Sequence, residues 1–193
     1  MRLDEPDWSG ERVPAISIGR WRQAPPVRRE GDRVSENLLD EAAIRSLMDR
    51  YGSGADERDW ADWIEIFDDS LEVDFSGISA AFKPATLTRV DHVAAARAVL
   101  CQFEATQHMI TNVQVRLDGD RATCRATMRA EHWMAGIRGA ARYTLFGVYE
   151  NGFRRTSAGW RIGHLVLRVV REEGNVDVWA EALRRARVGR PSR

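Results

Sequence analysis

The sequence predicts an α+β fold in which helices come first and a long, curved antiparallel sheet follows, closing with them into a cone that carries an N-terminal arm and a C-terminal helix. Two observations carry this expectation. Between residues 35 and 103 the apolar side chains recur mainly at three-and-four spacing, the period of a helix face. From residue 107 onward the period changes to two, in runs separated by short turns, as half-buried strands require. Helices that precede a sheet in the chain segregate to one of its faces.

Residues 1–34 hold four of the six prolines, with Trp8 and Trp21 isolated and no regular period, so they are expected to form an arm. Ile16, Ile18 and the two tryptophans make it apolar enough to lie across the domain or a neighbouring subunit. Ser35 is the expected N-cap of the first helix. Its apolar face is Leu38, Leu39, Ala42, Ile44, Leu47, Met48 and Tyr51, and it is expected to end near Gly52 and Gly54. Within DERDWADWIEIF, residues 56–67, Trp60, Trp63, Ile64 and Phe67 share the buried face of a second helix. LEVDF, residues 71–75, alternates as a short strand. A loop containing Pro84 leads to a third helix over 90–103.

Four strands are expected at 107–117, 121–135, 141–155 and 160–171. Asp118-Gly119-Asp120 and Ser157-Ala158-Gly159 have the composition of turns between them. Strand 121–135 alternates most cleanly: Ala122, Cys124, Ala126, Met128, Ala130, His132 and Met134 share one face, and Thr123, Arg125, Thr127, Arg129 and Glu131 the other. His132 is therefore expected to point inward. His108 is out of phase with the apolar set of its strand, Met109, Thr111, Val113, Val115 and Leu117, which calls for a bulge or a polar cavity wall. The region 174–193 reads as a C-terminal helix from Asn175 with a basic tail, leaving 35–173 as the core domain.

Composition narrows the function. A chain of 193 residues with 44% hydrophobic residues supports one good core. Lys+Arg and Asp+Glu both total 29, which gives no footprint for nucleic acid or an anionic membrane. No apolar run approaches the ~18 residues of a membrane span, and the first residues lack a signal-peptide core, so the expected location is the cytoplasm. Cys101 and Cys124 are expected to stay reduced there. A small, largely apolar substrate fits this balance better than a macromolecule does.

Three segments carry a family resemblance. EAAIRSLMDRYGSGADERDW resembles a first helix closed by an Asp, TQHMITN a strand bearing a principal histidine, and RAEHWM a strand bearing a second one. GVYENGFRR followed by GWRI resembles the long hairpin of the same group. Over about residues 36–171 the chain resembles the scytalone dehydratase-like, SnoaL-like branch of the nuclear transport factor two superfamily, which also contains hexachlorocyclohexane dehydrochlorinase. The resemblance implies a cystatin-like cone around a cavity, no cofactor, no metal, and a homo-oligomer, dimer or trimer.

It also implies roles. His108 becomes the proton-abstracting base, Asp56 its orienting carboxylate and His132 a second acid–base or substrate-holding group. Tyr51, Phe75, Asn112, Tyr149 and Arg155 are expected to contact substrate. The two tyrosines with which scytalone dehydratase positions water or a carbonyl are matched by Ala55 and Phe75. The dehydrochlorinase has a first-helix lysine where this chain has Tyr51, and its hairpin arginine is matched by Arg155.

A carboxylate beside one imidazole nitrogen fixes the tautomer and leaves the other nitrogen free to take a proton. The expected function is a cofactor-independent lyase or isomerase, of dehydratase or cyclase type, acting on a small cyclic or polyketide-like metabolite. The alternative is a non-catalytic binding or scaffold module of the same fold. Read without the resemblance, a histidine on an apolar strand face is either a core residue satisfied by a backbone carbonyl or a catalytic group. Two histidines and a carboxylate also describe a metal triad. Trp60, Trp63 and Phe67 are expected to be plain core, His92 to be exposed at a helix start, and His164 to face either way.

Overall fold

The computed structural model describes residues 31–79 and 82–188, so residues 1–30 of the arm expected over 1–34 and the end of the basic tail lie outside the described residues; residues 31–34 are helical, which leaves Ser35 inside the first helix and not at its N-cap. The elements are α1 (Gly31–Glu57), α2 (Trp60–Trp63), a 3-10 turn (Ile64–Ile66), β1 (Phe67–Asp74), β2 (Ala85–Thr88) and α3 (Arg89–Leu100). They are followed by β3 (Ala105–Asp118), β4 (Arg121–Trp133), β5 (Arg142–Thr156), β6 (Gly159–Gly174) and α4 (Asp177–Val188). This is the predicted α+β order, with the strands in one sheet ordered β2-β1-β6-β5-β4-β3.

The pairing is antiparallel throughout except where β1 runs parallel to β6. That one parallel contact follows from the chain path. β1, the first strand in the chain, lies beside β6, the last. Register shifts interrupt β1/β6, β3/β4 and β5/β6, and each extra residue bends its strand and increases the local twist. The sheet curves, and its concave face receives α1, whose contacts are mainly with β3.

Several local expectations change. The first helix does not stop at its glycines but runs unbroken from Gly31 to Glu57. Gly52 and Gly54 belong to packing instead of termination. A Cβ on Gly52 would come within 3.3 Å of the His108 carbonyl oxygen, and one on Gly54 within 2.5 Å of Trp63 Cδ1. Each glycine disfavours the helix by about 1 kcal/mol, a cost offset by the close approach of α1 to β3 and to Trp63. The stop comes at Arg58, which adopts φ 60°, while Asp59 N–H reaches back to the Gly54 carbonyl at 3.1 Å, a Schellman closure. The buried stripe is Ile44, Leu47, Met48, Tyr51 and Ala55; Leu38 and Leu39, expected in it, are 63% and 71% exposed.

The second helix is shorter than its aromatic spacing implied. It turns into a 3-10 segment at Ile64, and Phe67 opens β1. The expected loop around Pro84 contains β2, a short edge strand paired to β1 from Ser70 to Val73. The inner face of β4 is as read, with Ala122, Cys124, Ala126, Met128, Ala130 and His132 all buried, but Glu131, expected on the outer face, is buried as well.

The out-of-phase His108 is explained by a bulge. Thr111 pairs with Thr127 but Gln114 pairs with Arg125, so β3 carries one residue more than β4 across that step. Asn112 occupies it with φ 53°, a left-handed conformation that Asn tolerates well. Before the bulge Thr106, His108 and Ile110 face the core, and after it Val113, Val115 and Leu117 do.

Replacing a helical glycine by alanine in an exposed site stabilises a helix by about 1 kcal/mol. Gly54→Ala is expected to do the opposite. Its methyl meets the Trp63 ring, and overpacking of this kind costs about 1–3 kcal/mol. A lower midpoint in urea unfolding is the expected result, and a raised midpoint would contradict the packing role of Gly54.

Candidate functional site

The last turn of α1 presents Asp56 to β3. One carboxylate oxygen accepts from Thr106 Oγ1 at 2.8 Å and meets His108 Nδ1 at 2.6 Å; the other accepts from the His108 backbone N–H at 2.6 Å. A carboxylate at a helix C-terminus is disfavoured by the dipole, and the three donors from β3 compensate. Burial raises the Asp56 pKa, but the hydrogen bonds and charge of His108, with Thr106, outweigh it and hold the carboxyl below its usual range. Asp56 is thus the anion that fixes the His108 tautomer. With Nδ1–H donated to Asp56, Nε2 is the nitrogen left to accept a proton, and His108 lines a largely apolar cavity.

That cavity has a volume of about 340 Å³ and lies between the concave sheet face, α3 and α4. Its existence is traceable to small side chains on facing walls. Ala55 of α1, Ala95 and Ala96 of α3, Ala130 of β4 and Ala186 of α4 all line it. Facing elements about 10 Å apart close their gap only when large side chains interdigitate, and alanine opposite alanine leaves space.

His132 lies across a corner from His108, ring centroids 5.8 Å apart and planes at 85°. Phe103 at 4.8 Å and Trp179 at 5.0 Å enclose its ring, which is only 2% exposed. Burial first, and then the charge of His108, push its pKa down to about 3. His132 therefore stays neutral at ordinary pH and acts as a hydrogen-bonding group, not as an imidazolium acid.

Tyr51 and Tyr149 meet edge to face at 5.4 Å, and their hydroxyls share a hydrogen bond. Burial pushes Tyr51 up to about 12 and Tyr149 well above its ordinary value, so both remain protonated on the cavity wall. Phe75 also lines the cavity.

Two expected substrate contacts are elsewhere. Asn112 is exposed at the β3 bulge, where its amide faces Thr127 Oγ1 at 3.5 Å. Arg155 clamps Asp40 with both guanidinium nitrogens and stacks over Trp160 at 4.4 Å, while Trp160 Nε1 also donates to Asp40 at 3.0 Å. It ties α1 to the hairpin and lies away from the cavity.

His92 was expected to be exposed and is 5% exposed, on the cavity wall. Trp63 stacks on it at 5.7 Å, and Phe67 meets it edge-on at 4.8 Å. Burial lowers its pKa to about 4. The spacing His92, Ala96, Val99, Leu100 is an i, i+4, i+7, i+8 stripe and was the available signal. Trp63 is core, as read, and also a wall of the cavity; its Nε1 donates to the Tyr51 carbonyl at 2.9 Å. His164 lies partly exposed beside Glu72 at 3.0 Å. Among the described residues no three His, Cys, Asp or Glu side chains converge as metal ligands, and no helix is long and apolar enough to cross a membrane.

The model of the SnoaL-like domain matches residues 36–166. The uncharacterized protein Rv2910c of Mycobacterium tuberculosis is 31% identical over 130 residues, which is 65% of this chain and 82% of that protein. The crystal structure of Kfla4162 from Kribbella flavida is 36% identical, with a TM-score of 0.70 over 75% of this chain and 99% of that one. A hexachlorocyclohexane dehydrochlorinase, LinA type 2, shares the fold at a TM-score of 0.64 and 19% identity, covering 74% of this chain and 93% of its own.

The buried neutral histidines make stability depend on pH. The unfolded chain protonates His92 and His132 near pH 6.5, whereas the native state resists protonation down to about 4 and about 3. Their contribution is fully present above 6.5 and is lost as pH falls from there toward those values, by about 1.4 kcal/mol per pH unit per group. His92→Phe keeps an aromatic ring against Trp63 and is expected to flatten the decline in unfolding free energy between pH 6.5 and 4. Identical slopes for the variant and the parent in urea unfolding at several pH values would refute the buried neutral state.

Proposed function

The chain belongs to the SnoaL-like family, and on that basis we propose a cofactor-independent lyase or isomerase in which His108 removes a proton from carbon in a small cyclic substrate. The observation that carries this reading is the 2.6 Å contact between Asp56 and His108 Nδ1, made by a histidine that lines an apolar cavity of about 340 Å³. Nε2 takes the proton from a carbon beside a carbonyl, and Asp56 stabilises the imidazolium that forms. The electrons of the broken C–H bond move onto the carbonyl oxygen as an enolate, or expel a leaving group from the neighbouring carbon.

Of Tyr51 and Tyr149, both held protonated by burial, the hydroxyl whose proton is not used in their mutual hydrogen bond is suited to donate to that oxygen. Neutral His132 is a further group able to hydrogen-bond to it. The returned proton either goes to a different carbon, giving isomerisation, or leaves with the expelled oxygen as water, giving dehydration. A neighbour of the same fold that is named for dehydrochlorination supports elimination chemistry in such a cone. The replacements Ala55 and Phe75, both on the cavity wall, favour one rival reading, a ligand-carrying or scaffold module without turnover.

Exchange of the α-protons of a bicyclic ketone into D₂O, followed by proton NMR, separates the two without knowledge of the natural product. The protein is expected to accelerate the exchange. His108→Ala and Asp56→Asn are expected to reduce the accelerated rate by about 10² to 10⁴, with ketone affinity changed little. An exchange rate untouched by His108→Ala sinks the catalytic reading; tight binding without any exchange supports the carrier.

A further inference from the structure

Lys83 and Arg187 are the charged residues that line the cavity, and no Asp or Glu lines it. Lys83 follows β1 on the way to β2 and is the one lysine of the sequence; Arg187 lies in the last turn of α4. Both are exposed, whereas His132 at the inner end is 2% exposed, so the cations mark the mouth and the histidines the floor. Among the described residues neither cation has a hydrogen-bond or ion-pair partner. The contrast within α4 is direct: Arg184 and Arg185 both bind Glu181, and Arg187 does not.

α4 lays one face along the cavity, with Trp179, Leu183, Ala186 and Arg187 lining it. Trp179 touches His132, and Arg187 lies eight residues further, about 12 Å at the helical rise. The wall between is apolar. Inside, three buried side-chain polar atoms, His92 Nε2, His132 Nδ1 and Trp179 Nε1, have no partner among the described residues, and all three belong to residues of this one cavity. Buried donors and acceptors are satisfied in most native structures, so a ligand with ring oxygens facing them complements the floor.

We propose that Lys83 and Arg187 form an anion subsite at the mouth, and that the ligand is an elongated acid. Its apolar body of two or three fused rings carries oxygen toward the histidines, and its carboxylate lies between the two cations. As a statement about substrate this rests on the acid–base reading of the cavity. As a statement about binding it does not need turnover.

The test uses the full chain and calorimetric titration with naphthoate, naphthamide and naphthyl phosphate, which share one ring system. Naphthoate is expected to bind on the order of 10-fold tighter than the neutral amide through charge-assisted hydrogen bonds. The advantage should shrink as salt is raised and disappear in Lys83→Ala/Arg187→Ala with amide affinity unchanged. Both substituted side chains are exposed, and an unfolding midpoint equal to the parent's verifies the fold. His108→Ala should retain the naphthoate preference, so loss of turnover and loss of anion binding are read separately. Equal affinity for all three probes, or a naphthoate preference that survives the double variant, overturns the subsite. Preference for the phosphate with naphthoate no better than the amide overturns the carboxylic acid and assigns a phosphorylated ligand.

Discussion

The Asp56 carboxylate is the interaction on which the rest of the arrangement depends. It accepts from Thr106 Oγ1, from the His108 backbone N–H and from His108 Nδ1, and so joins the last turn of α1 to the first half of β3. A charged group at 18% side-chain exposure is tolerable only with such compensation. The same three bonds place α1 against the concave sheet, where Gly52 lets the backbones approach, and they orient the His108 ring toward the cavity. Structural and chemical demands therefore meet in one side chain. Loss of Asp56 acts on the tautomer of His108 and on the seating of α1 together.

The cavity is the second constraint, and it is made by omission. A cone of this size would be filled if large residues occupied both walls; alanines of α1, α3, β4 and α4 leave it open. Burial around that space has an electrostatic consequence. His92 and His132 are kept neutral, and Tyr51 and Tyr149 are kept protonated. The site thus combines one carboxylate-held histidine with a set of neutral hydrogen-bonding groups, a division that suits a single base facing several oxygen holders.

Some of this was readable in advance for definite reasons. Strand β4 alternates so regularly that the inward direction of His132 follows from parity alone. The phase conflict at His108 pointed to a bulge, and Asn112 supplies it at φ 53°. The pairing of Asp56 with His108 came from the resemblance of two segments fifty residues apart, since nothing local links them. Arg155 was misplaced because matching a position in a hairpin says nothing about the competing carboxylate, and Asp40 of α1 captures it. His92 was missed because a polar residue in the first turn of a helix reads as solvent-facing, although its stripe with Ala96 and Val99 is buried.

Hydrophobic period and composition are local properties, and from them alone came the order of helices and strands, the inner face of β4 and the absence of any electrostatic footprint for nucleic acid. Contacts between distant segments decided the remainder. α1 continues through Gly52 and Gly54 because β3 and Trp63 press against those positions, an energy that intrinsic helix preference does not contain. β1 finds β6 in parallel, β2 condenses onto β1, and His92 turns inward because α3 is laid across them. The cavity itself belongs to this second group. Each alanine is an ordinary residue in its own element, and only the facing of four such elements leaves a space in which chemistry can occur.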